Sequence, residues 1–204
     1  MKVENMTINY NWTKFYSAFA DKLLLYEKDR QSLLKKLQNV FNGLGTKFQK
    51  LEEDDSIVDI DPFTVFGMFN KGLSNANRIS IIKAFAQEFD INKSIEIPTV
   101  FDGIPTLNNL KAVFFGWERN IDDIDNLWEL FRTALKYADS ADKTAIKSDF
   151  IDIYDKVGRQ SCIKWNITMG LFWIRPYVFV NLDSRTRWYI CLLYTSPSPR
   201  DKRQ

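Results

Sequence analysis

The residues with the clearest capacity for chemistry lie in the block from Lys164 to Arg187. This block and the residue after it combine three kinds of side chain. The aromatic residues are Trp165, Trp173, Tyr177 and Trp188, the cationic ones are Lys164, Arg175, Arg185 and Arg187, and the amides are Asn166 and Asn181. Aromatic faces stack on bases, and guanidinium groups form paired hydrogen bonds with phosphates or guanine edges. A protein that recognises a modified base also needs an amide or carboxylate that binds the polar edge of a flipped-out base. Asn166, Asn181 and Asp183 could fill this role. The block therefore predicts a nucleic-acid-binding surface.

A structural interpretation of the same block is also open. Its aromatic and apolar residues fall at helical spacing, which favours core packing over ligand contact for Trp165, Met169, Phe172 and Trp173. Arg175 would then pair with a carboxylate, and Asp183 would cap a helix. Arg185 and Arg187 would lie on a solvated helix face, with their stems against the protein. We favour the core for the aromatic residues and keep both interpretations for the two arginines.

Two smaller groups of charged residues need the same comparison. Lys71 and Arg78 flank the turn after a phenylalanine-rich segment, where they either extend a basic patch or are ordinary surface residues. The acidic run Asp122, Asp123 and Asp125 has the residue types of a metal site. Carboxylates in the first turn of a helix are, however, favoured by the helix dipole alone. We therefore interpret the acidic run as helix-capping residues and expect no metal.

The residues that are missing exclude several kinds of site. The chain has no histidine, so it contains no Ser-His-Asp or Cys-His catalytic pair and no zinc site with histidine ligands. It also lacks the phosphate-binding P-loop and the Gly-x-Gly-x-x-Gly fingerprint. We expect no enzymatic activity, no cofactor, and no hydrolysis of GTP or ATP by this chain. A weaker alternative is a carboxylate-dependent enzyme, which needs two acidic groups facing each other in a cleft.

The C-terminal segment 191–204 differs from the rest of the chain. Its first part, from Cys191 to Asp201, agrees with one reading frame of a common transposase sequencing adaptor, so we predict that it is not natural protein. The alternative is a natural Ser/Pro-rich tail. On the adaptor interpretation, the natural chain is cut near Ile190 and is the N-terminal piece of a larger protein.

Removing this segment changes the electrostatic expectation. The tail holds Arg200, Lys202 and Arg203 against Asp201, so 28 basic and 26 acidic residues become 25 and 25, and the formal charge falls from +2 to zero. A neutral chain argues against strong non-specific binding of polyanions but not against a local basic patch. Cys162 is the one cysteine before the tail, which fits a reducing cytoplasm. The longest apolar stretch is too short and interrupted for a membrane span.

The elements that must position these groups are predicted to be helices. Apolar residues recur at three- and four-residue steps from Phe15 to Leu44, as one long helix or as a hairpin if Asp29 caps a second helix. A helix is predicted at 63–70, after the Asp61-Pro62 start signal, and another after Ser74. A further helix is predicted from Asp122 or Asp123 to 137. Three more are predicted at 143–157, at 164–173, and after Asp183 or Ser184. Residues 111–117 are predicted to be a strand or a helical turn, and 177–182 a short extended stretch.

The predicted fold class is mainly α, a compact helical domain with at most a few short strands and a truncated C-terminus. The domain organisation follows from the same pattern. We expect a lead-in at 1–12, one helical module at 13–190 and the adaptor translation at 191–204.

Several segments resemble the N-terminal region of McrB-type AAA+ proteins, the NTPase subunits of modification-dependent (5-methylcytosine) restriction systems. They are Asp61-Pro62-Phe63-Thr64-Val65-Phe66-Gly67, Phe69-Asn70-Lys71-Gly72, Phe101-Asp102-Gly103-Ile104-Pro105, Asp122-Asp123-Ile124-Asp125-Asn126-Leu127-Trp128, Lys164-Trp165-Asn166, Gly170-Leu171-Phe172-Trp173-Ile174-Arg175-Pro176 and Asn181-Leu182-Asp183-Ser184-Arg185. The resemblance spans roughly Phe15 to Ile190.

The resemblance implies a role in defence against foreign DNA. In McrB-type proteins the N-terminal module often recognises modified DNA and precedes a P-loop motor. The motor forms a ring that depends on GTP or ATP with Mg, and it acts with a separate nuclease subunit. This chain contains no Walker motif, so those properties would belong to the parent protein. The expected function is DNA recognition for the motor, with DNA as partner and no membrane. The alternative is a protein-interaction module that packs against the motor or the nuclease.

Overall fold

The structure is a computed structural model that describes residues 9–47, 51 and 58–195. In these ranges it contains eight helices: α1 Trp12–Leu24, α2 Arg30–Gly43, α3 Pro62–Gly67, α4 Asn75–Glu88, α5 Asp123–Asp139, α6 Thr144–Gly158, α7 Asn166–Ile174 and α8 Ser184–Thr195. The β-pairing in this part of the chain is an isolated bridge between Lys71 and Leu107. The predicted mainly-α fold class is confirmed. Residues 1–8 of the predicted lead-in lie outside the described ranges.

The first helical segment is a hairpin of two helices and not one long helix. After α1, backbone hydrogen bonds close the chain into turns that end at Asp29. The carboxylate of Asp29 accepts from the backbone N–H of Ser32 at 3.2 Å. Hydrogen bonds with the side chain and the backbone of Ser32 lower the pKa of Asp29, because they favour the charged form. Asp29 therefore caps α2, as the alternative with two helices predicts.

The Asp61-Pro62 start signal is confirmed in a fully buried setting. One oxygen of Asp61 accepts from the backbone N–H groups of Phe63 and Thr64 at 2.8 and 2.9 Å, and the other accepts from the hydroxyl of Thr64. The Thr64 hydroxyl in turn accepts from the backbone N–H of Phe114 at 2.9 Å. Burial raises the pKa of Asp61 to about 6, although its hydrogen bonds act in the opposite direction. The cap thus joins α3 to the loop before α5.

The third helix ends at Gly67 and not at the predicted position 70. After it, Asn70 donates from its backbone N–H to the carbonyls of Phe66 and Gly67, so the chain closes into turns. A Cβ atom on Gly67 would lie 2.1 Å from the carbonyl oxygen of Ala112. Only a residue without a side chain allows this close approach between α3 and the loop before α5.

The prediction that Asp122 or Asp123 is the capping residue of α5 is confirmed in position, because Asp122 is the N-cap residue, but no side-chain cap is formed. Asp122 makes no capping hydrogen bond with its side chain, whereas Asp123 accepts from the backbone N–H of Asn120 at 3.0 Å. The Asp123 carboxylate therefore organises the turn before the helix. The described residues contain no group of three or more side chains that could hold a metal ion.

Two further segments differ from the predictions. Residues 111–117 form neither a strand nor a helix but a series of turns. The stretch 177–182 begins in a turn, because the backbone N–H groups of Val178 and Phe179 both donate to the carbonyl of Arg175. Pro176 occupies the second position of this turn, which its fixed φ favours. Residues 180–183, between this turn and α8, have no regular secondary structure.

Aromatic rings on α1, α3, α4 and α5 pack against one another in the core. Edge-to-face contacts link Phe19 of α1 with Phe66 of α3 and with Phe85 of α4, at centroid distances of 5.2 and 5.4 Å. Three tryptophans are fully buried and donate their indole N–H to backbone carbonyls: Trp12 to Asp102, Trp128 to Ile60 and Trp173 to Pro105, each at 2.9 Å. These bonds satisfy the one polar atom of each ring. Within the described ranges, no helix is long and apolar enough to cross a membrane.

The last helix, α8, runs through the predicted boundary at Ile190, and every residue whose side chain is described in it is exposed or half-buried. Residues 196–204 lie outside the described ranges. We predict that deleting 191–204 leaves the melting temperature unchanged, since the side chains of this segment that the structure describes, at 191–194, are exposed to water. Thermal unfolding followed by circular dichroism measures the effect. A clear loss of stability would contradict the adaptor interpretation.

Candidate nucleic-acid interface

Asn166, at the start of α7, fixes the turn that presents the exposed aromatic residue before it. Its side-chain carbonyl accepts from the backbone N–H of Lys164 at 2.7 Å. Its amide donates to the carbonyls of Lys111 and Cys162, both at 3.3 Å. The side chain is buried. The hydrogen-bonding groups of Asn166 are thus used inside the protein, and the residue positions the site instead of lining it.

Trp165 and Arg187 form the contact at the centre of the site. Trp165 is 48% exposed, so its interpretation as a core residue is wrong. The guanidinium carbon of Arg187 lies 4.4 Å from the centroid of the Trp165 ring. A guanidinium over an indole is attracted by the negative face of the ring. The contact joins the start of α7 to the first turn of α8. It places a cation and a large aromatic ring side by side at the surface.

The segment before α8 holds this helix in place. Asp183 accepts from the backbone N–H of Thr186 at 2.8 Å, so the structural interpretation of Asp183 as a cap is confirmed. Asn181 accepts from the hydroxyl of Thr186 at 3.4 Å. The hydroxyl of Thr168, on α7, accepts from the backbone N–H of Leu182 at 3.0 Å. Asn181 and Asp183 therefore hold the first turn of α8, and the hydrogen bond of Leu182 links this segment to α7.

The exposed face of α8 carries cations on both sides of an aromatic ring. Trp188 is 65% exposed, and Arg185, Arg187 and Tyr189 are exposed around it. At roughly 100° per residue, Trp188 lies between the two arginines on the helix circumference. Among the described residues, no carboxylate forms an ion pair with Arg185 or with the exposed Lys164. These side chains are available to an anionic ligand.

Two residues of the predicted site belong to the interior. Arg175 pairs with Asp21 and Asp139, each at 2.6 Å, and also donates to the carbonyl of Ser17. Its side chain is 11% exposed, and its hydrogen bonds lower the pKa of Asp139. The structural interpretation of Arg175 as the partner of a carboxylate is therefore confirmed. Trp173 is fully buried, so its interpretation as a core residue is confirmed as well.

Lys71 and Arg78 take part in the packing at the end of α3. Arg78 is only 4% exposed, donates to the carbonyl of Phe69 at 2.9 Å, and lies over the ring of Phe101 at 4.9 Å. The expectation that Arg78 is a surface residue is wrong, because its guanidinium is held between a backbone carbonyl and an aromatic ring. Lys71 is half-buried at the bridge to Leu107. Burial lowers the pKa of both side chains.

The sequence interpretation missed the contribution of the loop before α5. In this loop Trp117 is 57% exposed, and the preceding Gly116 lies against Cys162, with 3.1 Å between an added Cβ and the sulfur. The sequence did contain a signal that Trp117 is exposed. This tryptophan lies between a glycine and the polar run Glu118-Arg119-Asn120, which is not typical of a core residue. We define the Trp165 surface as the exposed cationic and tryptophan side chains of three linked segments, the turn before α7, the first turns of α8 and the loop before α5: Lys111, Trp117, Lys164, Trp165, Arg185, Arg187 and Trp188. Tyr177, also exposed, lies in the turn before α8.

One family model matches the chain. It is described as a domain of unknown function (DUF8425), and it covers residues 12–203. The matched range thus includes α1 to α8 and most of the segment that we predict to be adaptor sequence. No curated protein and no solved structure matches the chain.

Proposed function

We propose that this chain, which belongs to the family described as a domain of unknown function (DUF8425), binds DNA through the Trp165 surface. The observation that carries this proposal is the contact of Arg187 with the half-exposed ring of Trp165. An arginine supplies charge for a phosphate, and an exposed ring supplies a face for a base. Both groups stand at one place on the surface and are held there by hydrogen bonds of the chain.

The local charge supports the same proposal. Lys111, Lys164, Arg185 and Arg187 are all exposed in or beside this surface, while the carboxylate of Asp183 is occupied by its helix cap. Glu118 and Asp122 are exposed in the loop that also holds Trp117. The chain without its C-terminal tail has a formal charge of zero, so attraction to DNA has to come from this patch and not from the net charge.

The resemblance to McrB-type proteins extends the proposal to a parent protein. There the chain serves as the recognition module of a restriction system that defends the cytoplasm against foreign DNA. The motor would use GTP or ATP with Mg, and a separate nuclease subunit would cut the DNA. The test is the gene sequence beyond Ile190 in the source genome. A Walker motif downstream supports the proposal, and a continuation without one contradicts it.

We predict that replacing both Arg185 and Arg187 with alanine weakens DNA binding and flattens its salt dependence. Each phosphate that a cation neutralises adds roughly 0.7–0.9 to the slope of log affinity against log salt, so the slope falls by about 1.4–1.8. Fluorescence anisotropy of a labelled oligonucleotide at several salt concentrations measures this slope. Circular dichroism verifies that the double variant is folded.

The matched control changes the net charge by the same amount elsewhere. Lys83 on α4 and Lys93 in the loop after it are exposed and lie outside the Trp165 surface. Alanine at both positions is expected to leave the slope almost unchanged. A native circular dichroism spectrum with unchanged affinity and slope for the arginine variant would refute DNA binding at this site.

A second candidate function is supported by a different set of exposed residues. Leu110 and Ile121 are almost fully exposed in the same loop as Trp117. Exposed apolar side chains that form a contiguous patch are typical of a site for another protein. We therefore keep the module that packs on the motor or nuclease as the alternative. Aspartate at Leu110 and Ile121 would abolish such a complex and leave DNA binding intact.

A further inference from the structure

We infer that the Trp165 surface takes single-stranded DNA, whose bases stack on its rings, and not the groove of a duplex. This inference rests on the proposed function and names the form of DNA that the site accepts. It follows from three observations: the exposed rings, the number of cations and the arrangement of the arginines on α8.

The exposed rings provide the first argument. Trp117, Trp165 and Trp188 are each about half exposed or more, whereas the other three tryptophans of the chain are fully buried. A base can stack on such a ring only when its own face is free, and in a duplex both faces of each base are covered by neighbouring pairs. Rings at the surface therefore favour a strand with unpaired bases.

The number of cations provides the second argument. The Trp165 surface contains four cationic side chains and three tryptophans. Proteins that bind duplex DNA with high salt dependence neutralise on the order of six to ten phosphates. A single strand presents one backbone, and stacking supplies much of the binding energy. The number of exposed rings is therefore close to the number of cations, and this ratio fits a single strand better than a duplex.

The arrangement of α8 provides the third argument. A helix that reads the major groove directs several side chains from one face toward the base edges. On α8, Arg185 and Arg187 are roughly 160° apart around the helix axis, and Arg187 is turned onto Trp165. The two guanidinium groups thus stand on opposite sides of Trp188. This spacing suits two phosphates that flank a stacked base.

The Arg187–Trp165 contact adds a stacking position of its own. A guanidinium is planar and stacks on aromatic faces, and its outer face and N–H edge stay free when a ring covers the other side. A base would lie on the outer face of Arg187 while the N–H edge binds the adjacent phosphate. Lysine has no planar group and cannot make this stack.

The test compares a labelled single-stranded DNA 20-mer, the same sequence as a duplex, and the same sequence as single-stranded RNA. The full chain is used, and anisotropy gives each affinity. We expect the single-stranded DNA to bind at least about tenfold more tightly than the duplex. Trp165→Ala and Trp188→Ala should each weaken it by roughly tenfold, because stacking contributes about 1–3 kcal/mol per base. Tyr10→Ala, which removes an exposed aromatic ring outside the Trp165 surface, is the control and should have no effect.

A second variant separates stacking from charge. Arg187→Lys keeps the positive charge, so the salt slope should stay the same while the affinity for the single strand falls severalfold. A lysine variant that binds as tightly as the original chain would overturn the stacking role of Arg187.

The outcomes distinguish this inference from the proposed function. Tighter binding of the duplex, lost in the double arginine variant, would overturn the inference and leave DNA binding intact. A tenfold preference for the RNA strand would overturn the assignment to DNA. Absence of binding to all three oligonucleotides would overturn both proposals. Trp188 is largely exposed, so its variant tests the inference even if Trp165→Ala perturbs folding.

Discussion

Trp173→Ala is expected to lower the free energy of unfolding by about 3–5 kcal/mol, as for large aromatic residues removed from a well-packed core. Trp173 is fully buried on α7, and its ring meets the edge of Phe114 at a centroid distance of 6.3 Å. Its indole N–H donates to the carbonyl of Pro105 at 2.9 Å. Alanine would leave a cavity and also a buried carbonyl without this donor. Urea unfolding followed by circular dichroism measures the loss.

Trp165→Ala is the natural comparison, since it removes the same side chain one helix length away at the surface. It should cost much less stability, because about half of the Trp165 side chain is in contact with water. If Trp173→Ala kept its stability and lost DNA binding instead, Trp173 would line the ligand site and our placement of it in the core would be wrong.

Asp61→Asn is expected to change how stability depends on pH. Burial raises the pKa of Asp61 to about 6 in the folded chain, against about 3.9 for an aspartate in an unfolded chain. The folded state therefore holds the proton more tightly. The resulting stability is fully present below about pH 4 and is lost as the pH rises through 6. A shift of about two pH units corresponds to a change on the order of 3 kcal/mol.

Asparagine keeps an acceptor oxygen for the backbone N–H groups of Phe63 and Thr64 but cannot ionise. The unfolding free energy of the original chain minus that of the variant should thus decrease by roughly 3 kcal/mol between pH 4 and pH 7. Asp29 and Asp139, whose pKa values are lowered, act in the opposite direction in both proteins and cancel in the difference. A difference that stays flat across this range would show that the Asp61 carboxyl titrates normally.

Local signals in the sequence identified the capping residue at four of the eight described helix starts. Asp29, Asp61, Ser74 and Asp183 each accept a hydrogen bond from the first turn of the helix that follows. The capping residue of α5 was ambiguous in the sequence, because Asp122 and Asp123 are identical neighbours. The two carboxylates differ only in the structure, where Asp123 accepts from the backbone N–H of Asn120. Proline explains a further difference: the residues around Pro176 form a turn and are not extended.

The candidate site depended on partners that are distant in the chain. Arg175 is neutralised by Asp21, 154 residues earlier, and the amide of Asn166 bonds to Lys111, 55 residues earlier. No local pattern reveals such pairs, so residue type alone placed Arg175 with the surface arginines. The exposure of Trp165 is likewise set by tertiary packing. Helical spacing grouped it with Trp173, although one ring is half exposed and the other is buried.

The division of the tryptophans between interior and surface makes the chain its own optical probe. Trp12, Trp128 and Trp173 are shielded from water, while Trp117, Trp165 and Trp188 are in contact with it. Indoles in an apolar environment emit at shorter wavelengths than indoles in water, and iodide quenches only the rings that it can reach. The fluorescence that iodide quenches therefore reports on ligand binding at the surface. The fluorescence that is protected from iodide reports on the packing of the interior. One unlabelled sample can then separate a ligand that covers the surface from a change that loosens the interior.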